Sequence, residues 1–191
     1  MIAVFDNFIQ DESLLKEIEH NFDSIFGDRG VYKWYDGWWN SPANNTTKKI
    51  IEYAWGVGCP IMETFSIEGF EYWTGIQSSS DIEDGAKNYL NIHFDKDEAL
   101  HKKTGEVVTP TMGSVYYPLG QSFRGGDLAI YTEEGENPEL IKAKPNRFVI
   151  FNAGQYPHEV TPVIDGVRHA IAINLWEKEP YSKQVGDLVV E

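Results

Sequence analysis

The segment YPHEVTPVIDGVRHAIAINLW, residues 156–176, decides how the rest of this chain is read. Its second half, VRHAIAINLW, has the β-branched and aromatic content of a strand. Side chains two apart on a strand share a face. Counting from Arg168, that face carries Ala170, Ala172 and Asn174, and His169 alternates away from it. Two alanines suit a strand that lines a crowded pocket. Asn174 becomes a candidate for supporting a site or touching a substrate. Upstream, after the buried-looking strand RFVIF, His158 sits between Pro157 and Pro162. Arg168 follows ten positions later and opens the strand.

A second stretch, YLNIHFDKDEAL (89–100), gives His158 a purpose. On a strand His93 and Asp95 project together, with Asn91 on the same face and Phe94 on the other. His-x-Asp with a distant histidine is the two-nitrogen, one-oxygen set that holds non-haem Fe(II) on one octahedral face, leaving positions open for substrate and dioxygen. Zinc or manganese would accept the same ligands. Asp97, Glu98 and His101 read as a solvated segment beyond the site.

Between and before these stretches, the chain reads as a short helical front and a long β-rich body. IAVFDNFI (2–9) reads as a strand. Asp11 or Ser13 then caps a helix to about Phe22, with Leu14, Leu15, Ile18 and Phe22 on one stripe. GDRGVYKWYDGWWNSP is a loop rich in glycine and tryptophan, in which Trp38 and Trp39 are candidates for lining a substrate groove. Asn45 or Thr46 caps a second helix, TKKIIEYAWG, which Gly56 or Gly58 ends. From Phe65, the segments EYWTGI, YLNIHFD, EVVTPTMGSVYYPL, GDLAIY, RFVIF and VRHAIAINLW are strands. The turns are DIEDGAKN, GQSFRGG, TEEGENPE, KPN and VIDG. Many short strands at such spacing predict a sandwich or barrel, a jelly roll among them.

Composition narrows the function classes. The 191 residues suit one domain with a real core. The expected division is 1–64 helical flank and loop, 65–178 β core and 179–191 tail. The formal net charge is −14, and the 16 basic residues are scattered. Neither phosphate backbones nor anionic membranes are expected partners. No apolar run approaches the roughly 20 residues that cross a bilayer. The first residues, MIAVFDNFIQDES, lack the basic start of a signal peptide. Cys59 is the single cysteine, so no internal disulfide or thiolate cluster forms. A reducing cytoplasm is the simplest compartment.

Four of these stretches together resemble the 2-oxoglutarate and Fe(II)-dependent dioxygenases, in their prolyl-hydroxylase-like branch: IHFDKDE, SVYYPLGQSFRGGDLAIY, RFVIFNAGQYPHEVTPV and VRHAIAINLW. The likeness runs from about Tyr72 to Trp176, and the opening VFDNFIQDESL adds a weaker one. It implies a mostly β fold, a double-stranded β-helix of the jelly-roll or cupin kind, with flanking N-terminal helices. It implies Fe(II) on His93, Asp95 and His158, with 2-oxoglutarate as co-substrate, dioxygen as oxidant and ascorbate as a stimulant. The far carboxylate of 2-oxoglutarate would be held by Arg168, whose guanidinium is permanently charged and grips a carboxylate with two prongs. Tyr117 would add a hydroxyl.

The implied reaction hydroxylates an unactivated C–H bond, in a prolyl residue of a peptide or in a free amino acid, and releases succinate and carbon dioxide. Where the branch often has a tyrosine ten positions before the first histidine, this chain has Glu83; Tyr72 or Gln77 is the expected substitute. A nucleic-acid demethylase is disfavoured by the charge and by the absence of a second arginine after Arg168. Two rival readings are a cupin-like module that binds a metal or small acid without catalysis, and a metal hydrolase that activates water. Oligomeric state is left open.

Overall fold

The computed structural model describes residues 1–56, 59, 62–63, 65–82, 87–132 and 137–182. Glu83, Gly58, part of the TEEGENPE turn and residues 183–191 of the expected tail lie outside the described residues. Two antiparallel sheets face one another, as expected of a jelly roll. The major sheet runs β1 (Ile2–Phe5), β9 (Arg147–Phe151), β5 (Met112–Tyr117), β11 (Val163–Trp176), β3 (Gly69–Ser78) and β2 (Lys33–Tyr35), and β6 (Phe123–Gly125) also pairs with β11. The minor sheet runs β4 (Leu90–His93), β10 (His158–Val160), β7 (Leu128–Ile130) and β8 (Glu139–Ile141).

Strand β11 organises the molecule. It pairs with β3 along ten residues, Val167–Trp176 against Gly69–Ser78, and with β5 on its other side. Its alternation separates two worlds. Ile171, Ile173 and Leu175 join the core beneath the helices, while Ala170 belongs to a smaller cluster with Leu128, Ile130 and Ile141 of the minor sheet. His169 points with the first set and meets Phe22 and Phe26 edge-on, each at 4.8 Å between ring centroids. Arg168, Ala170, Ala172 and Asn174 point the other way, into a cavity.

The helices cover the outer face of the major sheet because each carries an apolar stripe. Helix α1 (Glu12–His20) starts at Asp11, whose carboxylate accepts from the amides of Ser13 and Leu14, and buries Leu14 and Ile18. Helix α3 (Thr46–Trp55) starts at Asn45, which accepts from Lys48, and buries Ile50, Ile51 and Trp55. Each such aliphatic side chain contributes about 1.5–3 kcal/mol by leaving water. Gly56 follows the last helical residue.

Several sequence expectations are corrected. The first strand stops at Phe5, and Asn7 turns the chain with φ of 51°. The first helical region is two pieces: Asn21 breaks it before α2 (Phe22–Ile25). The loop after α2 contains β2, which closes the edge of the major sheet against β3. The segment after Asp95 is not a solvated tail. Asp97 is buried and caps helix α4 (Glu98–Thr104) by accepting from Leu100, and it also accepts from the amide of Tyr181. An acid-rich run need not face solvent when backbone amides, here those of Leu100 and Tyr181, satisfy its carboxylate.

Candidate active site

The cavity lies between the sheets and has a volume of about 310 Å³. Three side chains anticipated from sequence meet on its wall. His158 opens β10 and stands directly opposite His93, the last residue of β4, in the pairing register. Their rings are 4.4 Å apart, and Phe151 supports His158 edge-on at 4.8 Å. Asp95 lies just beyond the strand, where its amide donates to the carbonyl of Ala153. The three ligand-type atoms of His93, Asp95 and His158 lie within 4.8 Å of one another, a span that one metal ion can bridge.

Hydrogen bonding orients all three. His93 Nδ1 lies 2.7 Å from the carbonyl of Asn91, and His158 Nδ1 lies 3.0 Å from the carbonyl of Tyr156. A carbonyl accepts only, so each Nδ1 carries the ring proton and each Nε2 presents a lone pair. Both Nε2 atoms face Asp95 Oδ1, at 3.6 and 3.7 Å. Those separations exceed hydrogen-bonding distance and leave room for a cation. The other carboxylate oxygen, Oδ2, accepts from Asn174 Nδ2 at 3.0 Å. Burial pushes the His158 pKa down against the opposing pull of Asp95, and His93 adds to the lowering. A lowered value keeps the imidazole neutral, the form that binds metals.

Arg168 stands deeper on the same face of β11 and is 3% exposed. Its Nη1 donates to Gln77 Oε1 at 2.6 Å and its Nη2 to the Tyr117 hydroxyl at 3.4 Å, and its carbon Cζ sits 5.1 Å from the centre of the Tyr117 ring. Nε has no partner, and no carboxylate pairs with this guanidinium among the described residues. A buried charge without a counter-ion is costly. Its geometry therefore asks for an anion from the cavity. Gly126 makes room for it: a Cβ there would sit 2.5 Å from Arg168 Cδ, and the backbone has φ of 67°. The glycine pair of the SFRGGDL turn thus has a packing reason.

The remaining sequence candidates divide. Gln77, Asn91 and Asn174 line the cavity; Asn91 also offers its carbonyl to His93. Tyr117 is fully buried and touches Arg168, but it is not on the cavity wall. Tyr72 is not there either. Strand alternation turns it to the opposite face, into the core shared with the helices, while Trp73 and Gly75 take the wall. Trp38 and Trp39 pack against each other and against Phe70, away from the cavity. Sequence reasoning missed Trp73, Val115, Phe151 and Val160, whose place on the wall depends on which sheet face turns inward, and it missed the cations Arg29 and Lys87 at the wall.

A family model described as the 2OG-Fe(II) oxygenase superfamily matches residues 79–176, just over half of the chain. The chain belongs to that superfamily. The donor set of His93, Asp95 and His158 fits what a 2-oxoglutarate/Fe(II) oxygenase needs. The fold agrees. A Pseudomonas putida prolyl-4-hydroxylase superposes with a TM-score of 0.58 at 15% identity, over 93% of this chain and 88% of its own. A Trichoplax adhaerens prolyl hydroxylase, solved with a hypoxia inducible factor oxygen degradation domain peptide fragment, gives 0.58 at 15%, over 92% and 83%. A viral collagen prolyl hydroxylase from Paramecium bursaria chlorella virus-1 gives 0.51 at 12%, over 91% and 94%. No curated protein sequence matches this oxygenase significantly. Among its described residues, no helix is long and apolar enough to cross a membrane.

Proposed function

We propose that this chain hydroxylates a C–H bond of a peptide or amino-acid substrate, a prolyl residue among the candidates, and converts 2-oxoglutarate to succinate and carbon dioxide. The observation that carries this reading is Arg168: a buried guanidinium without a counter-ion among the described residues, on the same cavity wall as the three converging ligand-type side chains. A metal hydrolase has no need of a carboxylate clamp at that depth.

In this reading His93, Asp95 and His158 hold Fe(II) through two Nε2 atoms and Oδ1. Held there with 2-oxoglutarate, the iron would activate dioxygen, which oxidises both partners: one oxygen atom would go into succinate as 2-oxoglutarate loses carbon dioxide, and the other into the C–H bond. The protein does the rest by placement. The carbonyls of Asn91 and Tyr156 fix the two ring orientations, and Asn174 occupies Oδ2 so that Asp95 presents a single oxygen. Arg168, braced by Gln77 and Tyr117, grips the far carboxylate of 2-oxoglutarate. Ala170 and Ala172 leave the space between the clamp and the triad open, while Val115, Leu128, Phe151 and Val160 keep that space dry.

The test is uncoupled turnover. Protein supplied with Fe(II), ascorbate, dioxygen and 2-oxoglutarate should form succinate slowly, and His93→Ala or Asp95→Ala should abolish it. Well-metallated protein that makes no succinate with any substrate would point instead to a binding module.

A further inference from the structure

The chain carries 30 acidic against 16 basic residues, so an average patch of its surface is negative. The cavity wall reverses that balance. It holds the cations Arg29, Lys87 and Arg168, and its single described carboxylate is Asp95. In the proposed oxygenase a ferrous ion, the Asp95 carboxylate, a doubly charged 2-oxoglutarate and the Arg168 guanidinium add to no net charge. Among the described residues of the wall, Arg29 and Lys87 are then left over as two positive charges without a counter-charge.

Both belong to anchored pieces of backbone. Arg29 precedes Gly30, which is buried and whose amide donates to the carbonyl of Thr74 on β3 at 2.9 Å. Lys87 precedes Asn88, which is 1% exposed, donates through Nδ2 to the Val163 carbonyl at 2.7 Å and accepts back from the Val163 amide at 3.2 Å. One cation thus rides on a loop fixed to the major sheet, and the other on the segment leading into the minor sheet. Both side chains are exposed, and neither is in an ion pair among the described residues, whereas Lys33 of the same region is paired with Asp28.

We propose that Arg29 and Lys87 select an anionic substrate, one that carries carboxylates near the C–H bond to be hydroxylated. The assignment rests on the oxygenase reading and narrows it to a substrate class. Two cations at a cavity in an otherwise acidic protein draw an anion to the site and disfavour its neutral or basic counterparts, while the acidic remainder repels anions elsewhere. Trp73 and Tyr89, on the same wall, offer apolar faces to the body of such a substrate.

The experiment uses two pools of short peptides with a randomised centre, flanked by Asp and Glu in one pool and by Asn and Gln in the other. A parallel arm compares free aspartate and glutamate with asparagine and glutamine, so that the responding arm tells a peptide from a free acid. Two readouts are taken: product carrying one added oxygen, and binding to the Fe(II)- and 2-oxoglutarate-loaded protein by equilibrium dialysis without dioxygen. Exposed charge pairs of this kind give about a three- to tenfold preference for the acidic member in low salt, shrinking as salt rises. Arg29→Gln and Lys87→Gln should each reduce that ratio, and Arg29→Glu with Lys87→Glu should invert it. The ratio is taken within each variant, so a general change in activity does not disguise the result.

A wild-type ratio near one in both arms, a preference for the amides, no response in either the peptide or the free amino-acid arm, or a ratio untouched by the charge reversals overturns the assignment. Protein that turns 2-oxoglutarate into succinate yet treats both pools alike keeps its chemistry and loses this substrate class. Protein that neither binds 2-oxoglutarate nor makes succinate loses the underlying function instead.

Discussion

Two glycines with the same backbone sign and different surroundings separate strain from site geometry. Gly120 has φ of 83° and open space where a Cβ would go, and Gly126 has φ of 67° with Arg168 Cδ at 2.5 Å, Val163 Cγ2 at 3.1 Å and Arg168 Nε at 3.4 Å. Alanine at either position adopts a left-handed conformation, which costs about 1–2 kcal/mol. Both variants should therefore lose about that much stability in denaturant titration. Only Gly126→Ala should also damage ligand binding.

Carbon atoms rest about 3.5–4.0 Å apart, so Arg168 Cδ must retreat by about 1 Å. Its guanidinium is held by Gln77 at 2.6 Å, so a retreat from the new methyl group pulls it off that partner and swings it into the space where the carboxylate would bind. Misplacing a charged, two-pronged hydrogen bond costs about 1.5–3 kcal/mol, or about 10- to 100-fold in Kd. At 2-oxoglutarate near 100 times the wild-type Kd, binding adds about 2.7 kcal/mol to stability, and a thirtyfold weaker Kd leaves about 0.9. The assay is the melting temperature of metal-loaded protein with and without 2-oxoglutarate. Gly120→Ala should keep the full ligand-dependent shift, and Gly126→Ala should lose most of it. A full shift in Gly126→Ala would refute Arg168 as the clamp.

Other expectations follow from single contacts. Arg168→Ala should erase most of the 2-oxoglutarate-dependent melting shift while leaving metal uptake measurable by manganese titration. Asn174→Leu removes the donor to Asp95 Oδ2 and should weaken metal binding about 10- to 100-fold in the same titration. Glu71 is buried, which pushes its pKa up to about 7 despite the Ser182 hydroxyl. A folded-state value above the unfolded one gives stability that is present below about pH 4.5 and lost as pH rises through 7. Glu71→Gln should therefore flatten the stability profile between those limits and raise stability above pH 7, by up to about 3 kcal/mol. An unchanged slope would mean that Glu71 is ionised at little cost.

The candidate site was legible where chemistry and strand alternation coincide. Arg168, Ala170, Ala172 and Asn174 were placed on one face by counting in twos, and that face lines the cavity. His93, Asp95 and His158 were chosen for their donor types, and they meet. The errors share another cause. Tyr72 was chosen as an aromatic of the right region, but the register of β3 against β11 turns it into the helix-covered core. Trp38 and Trp39, in a loop whose composition suits a groove, are packed on Phe70. Asp97 looked solvated and is a buried helix cap.

Residue types and spacing are enough to read a β-rich body with capped helices in front, two histidines and an aspartate of metal-binding character, and an arginine opening the long strand. Those features are local: they depend on residue type, on the two-residue period of a strand and on the chemistry of caps. Only the folded arrangement shows that His93 and His158 stand opposite each other, that Arg168 is buried without a counter-ion among the described residues, and that Arg29 and Lys87 share its cavity. Pairing register and burial arise from contacts between residues far apart in the chain, and no local pattern encodes which wall a loop will lean on.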